Sequence, residues 1–280
     1  MSNTMCMRRG LLPNRAGGKT GRKGVAMDWS AAEYRRFEAE RTRPCAELLA
    51  RVPTDPVGRA VDLGCGPGNS TELLAARWPG AEVTGLDSSP DMVAAARARL
   101  PGIAFDRADI AAWDDPRPFD VILANAVLQW LPDHERLLPS LVGRLAPGGS
   151  LAVQVPDNLD EPSHRLMREV AAAGPWAARI GDAASLRAPR QPPEWYARLL
   201  HGQARLDLWR TTYYHPLAGA AGVVDWLKAT GLRPFLTPLG EDERTGFLTA
   251  YQAAVAQAYP ALPDGTVLLP FPRLFIVATR

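Results

Sequence analysis

One short stretch says most about the architecture of this chain: Val61-Asp62-Leu63-Gly64-Cys65-Gly66-Pro67-Gly68-Asn69-Ser70. Apolar residues before the glycines predict a strand over 60–63, and a helical pattern after them predicts a helix over 70–78. Glycine permits both a tight turn and close approach of a ligand to the backbone. The spacing G-x-G-x-G differs from the dinucleotide fingerprint, and Pro67 removes a backbone donor. The loop therefore suits an uncharged nucleoside segment better than a pyrophosphate.

Outward from this loop, strands and helices alternate along the first half of the chain. Short apolar runs predict strands over 60–63, 82–86, 103–105, 119–124 and 151–155. Ser89 followed by Pro90 is the pattern of a helix N-cap with proline in the first turn. Such alternation indicates βαβ units and a parallel sheet. Two later runs, at about 206–214 and 274–278, predict further strands after a mostly helical stretch.

Polar residues follow three of the predicted strands. Asp87 ends the second strand about 20 residues beyond the loop, where an acid hydrogen-bonds ribose hydroxyls. Asp109 and Ile110 follow the third strand, and Asn125 ends the fourth. These positions fall at the carboxyl ends of parallel strands, where open α/β sheets bind ligands. Helix capping by Asp87 and a loop role for Asp109 are the structural alternatives.

Charge separates an N-terminal tail from the rest of the chain. The formal net charge is +2, but residues 1–26 hold six basic residues and no acid. Removing those six from 32 basic residues leaves 26 against 30 acidic ones, a balance of about −4. We expect the tail to be disordered, with a targeting peptide or a weak nucleic-acid arm as alternatives. Met27, just before the first organised segment, is the expected start.

The composition predicts a soluble globular protein of a reducing cytoplasm. No apolar run approaches the roughly 18 residues of a membrane span. Cys6, Cys45 and Cys65 are widely spaced and lack a His partner at metal-ligand spacing, so we expect no metal. The body of the chain carries no basic excess that would attract nucleic acid. Nothing in the sequence indicates an oligomeric state.

Several of these residues also match a known series of motifs. Residues 62–68, Asp87, Ala108-Asp109-Ile110 and Asn125 resemble the motifs of class I, S-adenosylmethionine-dependent methyltransferases. The resemblance implies S-adenosyl-L-methionine as cofactor and a doubly wound, Rossmann-like sheet of seven strands, the last antiparallel, with a helical lid. It assigns the methionine part to the glycine loop, the ribose to Asp87 and the adenine amino group to Asp109. The cofactor-binding residues that it implies are Asp62, Gly64, Gly66, Gly68, Asp87, Ser88, Asp109, Ile110 and Asn125.

Further strings resemble the trans-aconitate 2-methyltransferase family within that class. They are Asp28-Trp29 with Tyr34, Phe37 and 40–44, then 66–71, 128–134, 209–215, 229–234 and 271–278. The resemblance implies one methyltransferase domain over 27–280, with a lid helix over 27–50 and helical insertions or a cap over 159–203 and 216–262. Agreement is weakest over 174–204, the stretch that could reshape a substrate pocket.

The resemblance implies methyl transfer to a carboxylate oxygen of a small polycarboxylic acid, giving the monomethyl ester of trans-aconitate. A carboxylate is already ionised at neutral pH, so the reaction needs no general base and depends on positioning. Arginines should hold the non-reacting carboxylates because they pair bidentately. The candidates for this role are Arg43, Arg210 and Arg273. Neutral donors should position the reacting oxygen, and the candidates are Tyr34, Gln129, Trp130, Tyr213 and Tyr214.

Other functions compete with this interpretation. An O-methyltransferase of another acid, such as a malonyl-carrier substrate, is the nearest, and the negative body of the chain disfavours a carrier-protein partner. Methylation of protein or RNA, a nucleoside-binding homologue without catalysis, and a dehydrogenase are the others. Alternation on a strand puts Tyr213 on the same face as Trp209, where both could belong to the core, and puts Tyr214 on the opposite face. His134 and His215 have no acid or nucleophile at catalytic spacing, and neither is expected to act as a base.

Overall fold

A sheet of seven strands forms the central layer of the computed structural model, which describes residues 38–186, 191–228 and 230–280. The strands are β1 (Arg59–Leu63), β2 (Glu82–Asp87), β3 (Ala104–Arg107), β4 (Phe119–Asn125), β5 (Leu145–Pro156), β6 (Arg205–Ala218) and β7 (Thr266–Thr279). Their order across the sheet is β3-β2-β1-β4-β5-β7-β6. The first five strands pair in parallel, whereas β7 runs antiparallel to β5 and β6. The predicted fold class is therefore confirmed, including its antiparallel last strand.

Helices cover both faces of the sheet. They are α1 (Glu38–Ala50), α2 (Asn69–Arg77), α3 (Pro90–Arg99), α4 (His134–Gly143), α5 (Pro162–Ala173), α6 (Ala177–Ile180), α7 (Pro193–Leu199), α8 (Gly219–Lys228), α9 (Arg233–Leu236) and α10 (Glu241–Ala258). Leu48 of α1 and Leu74 of α2 are buried against one face. Leu138 of α4 and Tyr196 of α7 are buried against the other. Apolar area removed from water on both faces stabilises the doubly wound arrangement.

Several strand boundaries differ from the sequence expectation, most of all in the last two strands, where β6 ends at Ala218 rather than about 214 and β7 begins at Thr266 rather than Leu274. The third strand begins and ends slightly later than predicted, and the fifth begins at Leu145 rather than Leu151. Phe119 pairs with Leu145 but Val121 pairs with Ser150, so the residues between form a bulge in β5. In the sequence, Gly148 and Gly149 of this bulge predict a turn, although the strand continues through them.

The hairpin of β6 and β7 is longer than the rest of the sheet. Each of these strands has 14 residues. β5 ends at Pro156, which pairs with Arg273, while the pairing of β6 with β7 continues to Ala218 and Thr266. Residues 212–218 and 266–272 therefore extend beyond the carboxyl edge of the parallel strands. We call this stretch of paired backbone the hairpin extension.

A second hydrophobic core lies on the hairpin extension. It buries Met167 of α5, Val223 of α8 and Tyr251 of α10 together with Leu269 of β7. We call α5, α8 and α10, with the hairpin extension, the cap. The Tyr251 hydroxyl donates to the Ser163 carbonyl at 2.8 Å, which links α10 to α5. The cap is thus joined to the sheet by two continuous strands rather than by a linker.

Candidate functional site

The loop between β1 and α2 has a backbone that favours glycine. Gly64, Gly66 and Gly68 have positive φ values of 71°, 53° and 94°. A Cβ added to Gly64 would lie 2.3 Å from Val127 Cγ2, so this glycine allows the chain after β4 to close on the loop. A Cβ added to Gly66 would meet nothing within 4 Å. Gly66 therefore faces open space at the carboxyl edge, as a ligand-binding glycine must.

Asp62 anchors this loop from inside the protein. It is fully buried, and its Oδ2 accepts hydrogen bonds from Ser70 Oγ at 2.6 Å and Thr71 Oγ1 at 2.7 Å. Burial raises the pKa of the carboxyl to about 6, against the bonds from the two hydroxyls. Its Oδ1 has no hydrogen-bond partner among the described residues. One oxygen thus fixes the start of α2, and the other remains able to accept a bond.

Asp87 lies beside the loop at the end of β2. Its Oδ2 accepts the Gly66 N–H and its Oδ1 accepts the Ser89 N–H, both at 2.9 Å. Burial raises the pKa of Asp87, partly offset by these backbone bonds. The side chain of Ser89 itself accepts the Met92 N–H as the N-cap of α3. Each Asp87 oxygen can accept a second bond, which fits the two hydroxyls of a ribose. Ser88, between them, is exposed.

The residues after β3 are placed differently from one another. Asp109 is exposed, and its Oδ1 accepts the Ala111 N–H at 2.9 Å, so it shapes its own loop. Ile110 is buried in the sheet core rather than open to solvent. Both lie at the carboxyl edge, one strand beyond Asp87. Of the two side chains, only that of Asp109 is therefore accessible from solvent.

Four acceptor oxygens at this edge of the sheet lack a hydrogen-bond partner within the described ranges. They are Asp62 Oδ1, Asn69 Oδ1, Asn125 Oδ1 and Gln129 Oε1, all buried. Asn69 and Asn125 line a cavity of about 30 Å³ with Gly64 and Gly66. Buried acceptors without a donor are costly unless a ligand supplies one. The set fits a ligand that carries a cationic amine and hydroxyls.

Arg273 lies where β7 begins to pair with β5, beside the same edge. The residue is buried, and its Nη1 donates to Gln154 Oε1 of β5 at 3.0 Å. Its Cζ lies 5.0 Å from the Phe271 ring centroid and 6.0 Å from that of Tyr213. A buried guanidinium fixed by an amide and two rings is a candidate for binding a carboxylate, because arginine pairs strongly with carboxylates in a dry site.

The structure does not bring the three candidate arginines together. Arg43 is exposed and pairs with Glu47 at 2.8 Å. Arg210 pairs with Asp157 at 2.7 Å and borders a separate cavity of about 360 Å³. In the β6–β7 register Arg273 is opposite Thr211, so Arg210, one residue earlier, faces the other side of the sheet. Of the three, Arg273 alone is buried at the carboxyl edge.

The candidate neutral donors also separate. Tyr213 is buried and donates its hydroxyl to Glu47 Oε2 at 2.6 Å, whereas Tyr214 is 63% exposed on the opposite face of β6. Gln129 donates from Nε2 to the Ala126 carbonyl at 2.6 Å and keeps its Oε1 at the edge. Trp130 follows it in a short 3-10 helix and is half-buried. Gln129 and Trp130 therefore follow β4 directly in the chain, whereas Tyr213 is bound to α1 and Tyr214 is exposed.

Some predicted features lie outside the described residues. They are Tyr34 with Asp28, Trp29 and Phe37, the expected tail 1–26, and the first part of the expected lid helix 27–50. Two residues that contact the candidate site residues, Glu47 and Gln154, were not predicted from the sequence. Glu47 stands four residues after Arg43, and that spacing alone predicts their ion pair. Nothing local predicts the contact of Glu47 with Tyr213, which is distant in sequence.

The two histidines considered as bases have structural contacts. His134 Nε2 lies 2.8 Å from the Leu128 carbonyl and its Nδ1 lies 3.3 Å from the Tyr196 hydroxyl. His215 is buried and stacks on Trp226 with 4.2 Å between ring centroids.

In the part of the chain that the structure describes, no helix has both the length and the apolar character to cross a membrane.

The chain matches the family model described as "Methyltransferase domain" over residues 35–202. The structure resembles YcgJ of Bacillus subtilis with a TM-score of 0.56 at 12% identity, covering 85% of this chain and 98% of that one. It also resembles a Haemonchus contortus phosphoethanolamine N-methyltransferase bound to S-adenosylhomocysteine, with a TM-score of 0.52 at 16% identity, covering 85% of this chain and 52% of that one. Fold, glycine loop and family model place the chain in the class of S-adenosylmethionine-dependent methyltransferases.

Curated relatives define the family more narrowly. A trans-aconitate 2-methyltransferase of Methylobacterium radiotolerans is 60% identical over 256 residues, covering 90% of this chain and 98% of the relative. One of Rhizobium meliloti is 54% identical over 255 residues, covering 91% and 99%. The chain belongs to the trans-aconitate 2-methyltransferase family, and the resemblance stated from its sequence motifs is confirmed.

Proposed function

We propose that this enzyme transfers the methyl group of S-adenosyl-L-methionine to one carboxylate of trans-aconitate, which gives the monomethyl ester. The observation that carries the proposal is that the buried Arg273 lies beside the carboxyl edge of the sheet, where four buried acceptor oxygens of the described residues have no hydrogen-bond donor. A cation-binding edge next to an anion-binding guanidinium suits a cationic methyl donor and a polycarboxylate acceptor. The relatives named for this activity match the chain over almost their full length.

The cofactor edge consists of the glycine loop with Asp62, Asp87 and Asn125. When bound, S-adenosyl-L-methionine supplies an electrophilic methyl carbon on a sulfonium. We assign its ribose to Asp87, whose two oxygens are held by backbone donors. The open space at Gly66 admits the methionine part, and the Asp62 and Asn125 oxygens fit its ammonium. We assign the adenine to the loop of Asp109 and Ile110, with Ser88 and Gly68 completing the edge.

The substrate side consists of Arg273, Gln154, Gln129 and Trp130. Arg273 holds a carboxylate that does not react, because pairing the nucleophilic one would stabilise the ground state. Gln129 and Trp130 orient the reacting oxygen toward the methyl carbon. The carboxylate is ionised at neutral pH, so no side chain has to remove a proton. Alignment of the two reactants, with water excluded, then supplies the rate enhancement.

The remaining predicted features have supporting roles in this proposal. Arg43 and Tyr213 both contact Glu47 of α1 rather than the substrate. Arg210 and His164 line the separate cavity of about 360 Å³. The predicted cap ranges 159–203 and 216–262 include the cap helices α5, α8 and α10, whereas α7, also within 159–203, packs on the sheet, and we assign a lid to 27–50 of the single domain. We place the reaction in the cytoplasm with a small molecule as partner and no nucleic acid. The buried free thiols of Cys45 and Cys65 suit that reducing compartment.

The test is single-turnover transfer of labelled methyl from S-adenosyl-L-methionine into a panel of acids. The panel holds trans-aconitate, cis-aconitate, isocitrate, itaconate and a malonyl-carrier protein. We expect trans-aconitate to be preferred and the product to be a base-labile ester. Preference for the malonyl carrier would move the enzyme to the nearest alternative function. Cofactor binding without any labelled ester would overturn the proposal.

A further inference from the structure

Helix α1 contacts both the cofactor edge and the hairpin that carries Arg273. Its residues Thr42 and Cys45 line the small cavity together with Gly64 and Gly66. Two residues beyond Cys45, Glu47 reaches β6 through the Tyr213 hydroxyl. One short helix therefore contacts the place of the methyl donor and, through Tyr213, the place of the acceptor.

Glu47 is the centre of a small charged network. Its Oε2 accepts the Tyr213 hydroxyl at 2.6 Å and its Oε1 accepts Arg43 Nε at 2.8 Å. Burial opposes ionisation of Glu47, but the bonds from Tyr213 and Arg43 outweigh it and lower the pKa. Burial and the same carboxylate raise the pKa of Tyr213. The hydroxyl therefore stays protonated and donates to Glu47.

Tyr213 transmits this contact to Arg273. The ring of the buried tyrosine contacts two guanidinium groups, with Arg43 Cζ at 5.2 Å and Arg273 Cζ at 6.0 Å from its centroid. Arg273 also donates to Gln154. Since a buried ring fixed at its hydroxyl cannot shift freely, it sets one wall of the space that the Arg273 guanidinium occupies.

We propose that Glu47 is a positioning residue that makes substrate binding depend on the cofactor. A cofactor bound against Thr42 and Cys45 stabilises α1, α1 holds Tyr213 through Glu47, and Tyr213 holds Arg273 in the orientation that takes a carboxylate. The dependence is reciprocal, so the substrate also tightens cofactor binding. This inference rests on the proposed function for its choice of substrate.

The experiment measures trans-aconitate affinity by calorimetry with and without S-adenosylhomocysteine, which resembles the cofactor but cannot react. For the unmodified enzyme we expect the ratio of the two dissociation constants, the coupling factor, to be about tenfold. Tyr213→Phe and Glu47→Ala should each reduce the coupling factor to within about twofold of one. The double variant should reduce the coupling factor no further than either single variant. Affinity for S-adenosylhomocysteine alone should stay within about twofold. Glu47→Gln keeps an acceptor for the hydroxyl and should keep most of the coupling.

The matched control is Glu169→Ala, which removes another i,i+4 ion pair, with Arg165 on α5, at 3.2 Å. We expect its coupling factor to equal that of the unmodified enzyme. An unmodified enzyme without coupling, or a Tyr213→Phe variant that keeps it, overturns the inference. If Glu47→Ala fails to fold, Tyr213→Phe decides. Turnover of trans-aconitate is measured first, because its absence defeats the proposed function, whereas turnover with unaltered coupling defeats only the role of Glu47.

Discussion

The proposed cofactor edge and the proposed substrate side are held by different kinds of contact. The edge depends on backbone: glycines with positive φ, and N–H groups of Gly66 and Ser89 that fix Asp87. The substrate side depends on long side chains from separate elements, with Arg273 placed by Gln154 and Tyr213. A backbone site tolerates little change, whereas a side-chain site can be altered residue by residue. Substitutions should therefore separate binding of the two ligands.

The largest expected effect is that of Arg273→Met, which keeps the apolar stem and removes the buried charge. We expect kcat/KM for trans-aconitate to fall by about a hundredfold or more, because a buried carboxylate would lose its partner. Steady-state kinetics and calorimetry with S-adenosylhomocysteine check this, and the affinity for the latter should change little. An equal loss of both affinities would break the comparison.

Asp87→Asn should weaken binding of the cofactor, whereas Arg273→Met should weaken use of the acid. The amide nitrogen cannot accept a hydrogen bond, so one ribose hydroxyl or one backbone N–H loses its acceptor. We expect cofactor affinity to fall by tens of fold, roughly the effect of one hydrogen bond to a charged group. Asp106→Asn, an exposed carboxylate on β3, is the control and should be neutral. Unchanged cofactor affinity in Asp87→Asn would refute the ribose assignment.

Asp62 should make the stability of the folded protein depend on pH. Its pKa in the folded protein is raised to about 6 from the ordinary 3.8, so the folded state binds the proton more tightly than the unfolded state. Its contribution therefore favours folding below about pH 4 and is lost as pH rises through about 6. Relative to Asp62→Asn, the free energy of unfolding should fall by about 1 to 3 kcal/mol over that range. Urea unfolding at pH 4.5 and 7 measures the difference, and parallel curves would contradict it.

The smallest expected effect is that of Arg210→Met. This arginine is largely exposed and already pairs with Asp157, and exposed pairs contribute little. We expect less than about a threefold change in kcat/KM for trans-aconitate. The same assay as for Arg273→Met checks this. A loss as large as that of Arg273→Met would indicate that the substrate carboxylate binds at Arg210, in the separate cavity that this residue borders.

Sequence predicts the local structure of the proposed cofactor edge better than that of the proposed substrate side. The glycine loop, Asp87 and Asn125 are recognisable because strand ends and turns leave local signals in a few residues. The face of each residue on β6 is also predictable, and Tyr213 and Tyr214 do lie on opposite faces. Whether Arg210 or Arg273 reaches the site depends on the register of β6 with β7, which no local pattern gives. The same holds for Glu47, whose partner is distant along the chain.

The hairpin extension has a consequence for how this family can diversify. Backbone pairing along 14-residue strands is insensitive to side-chain identity, so it persists while the helices that rest on it change in length and sequence. Trp226 of α8 contacts Phe271, whose ring lies 5.0 Å from Arg273 Cζ, so we expect mutations in α8 to alter the proposed acid site without disturbing the nucleoside contacts. An evolving lineage, or an engineer exchanging cap helices between relatives, can thus explore new acceptors on an unchanged methyl-donor platform.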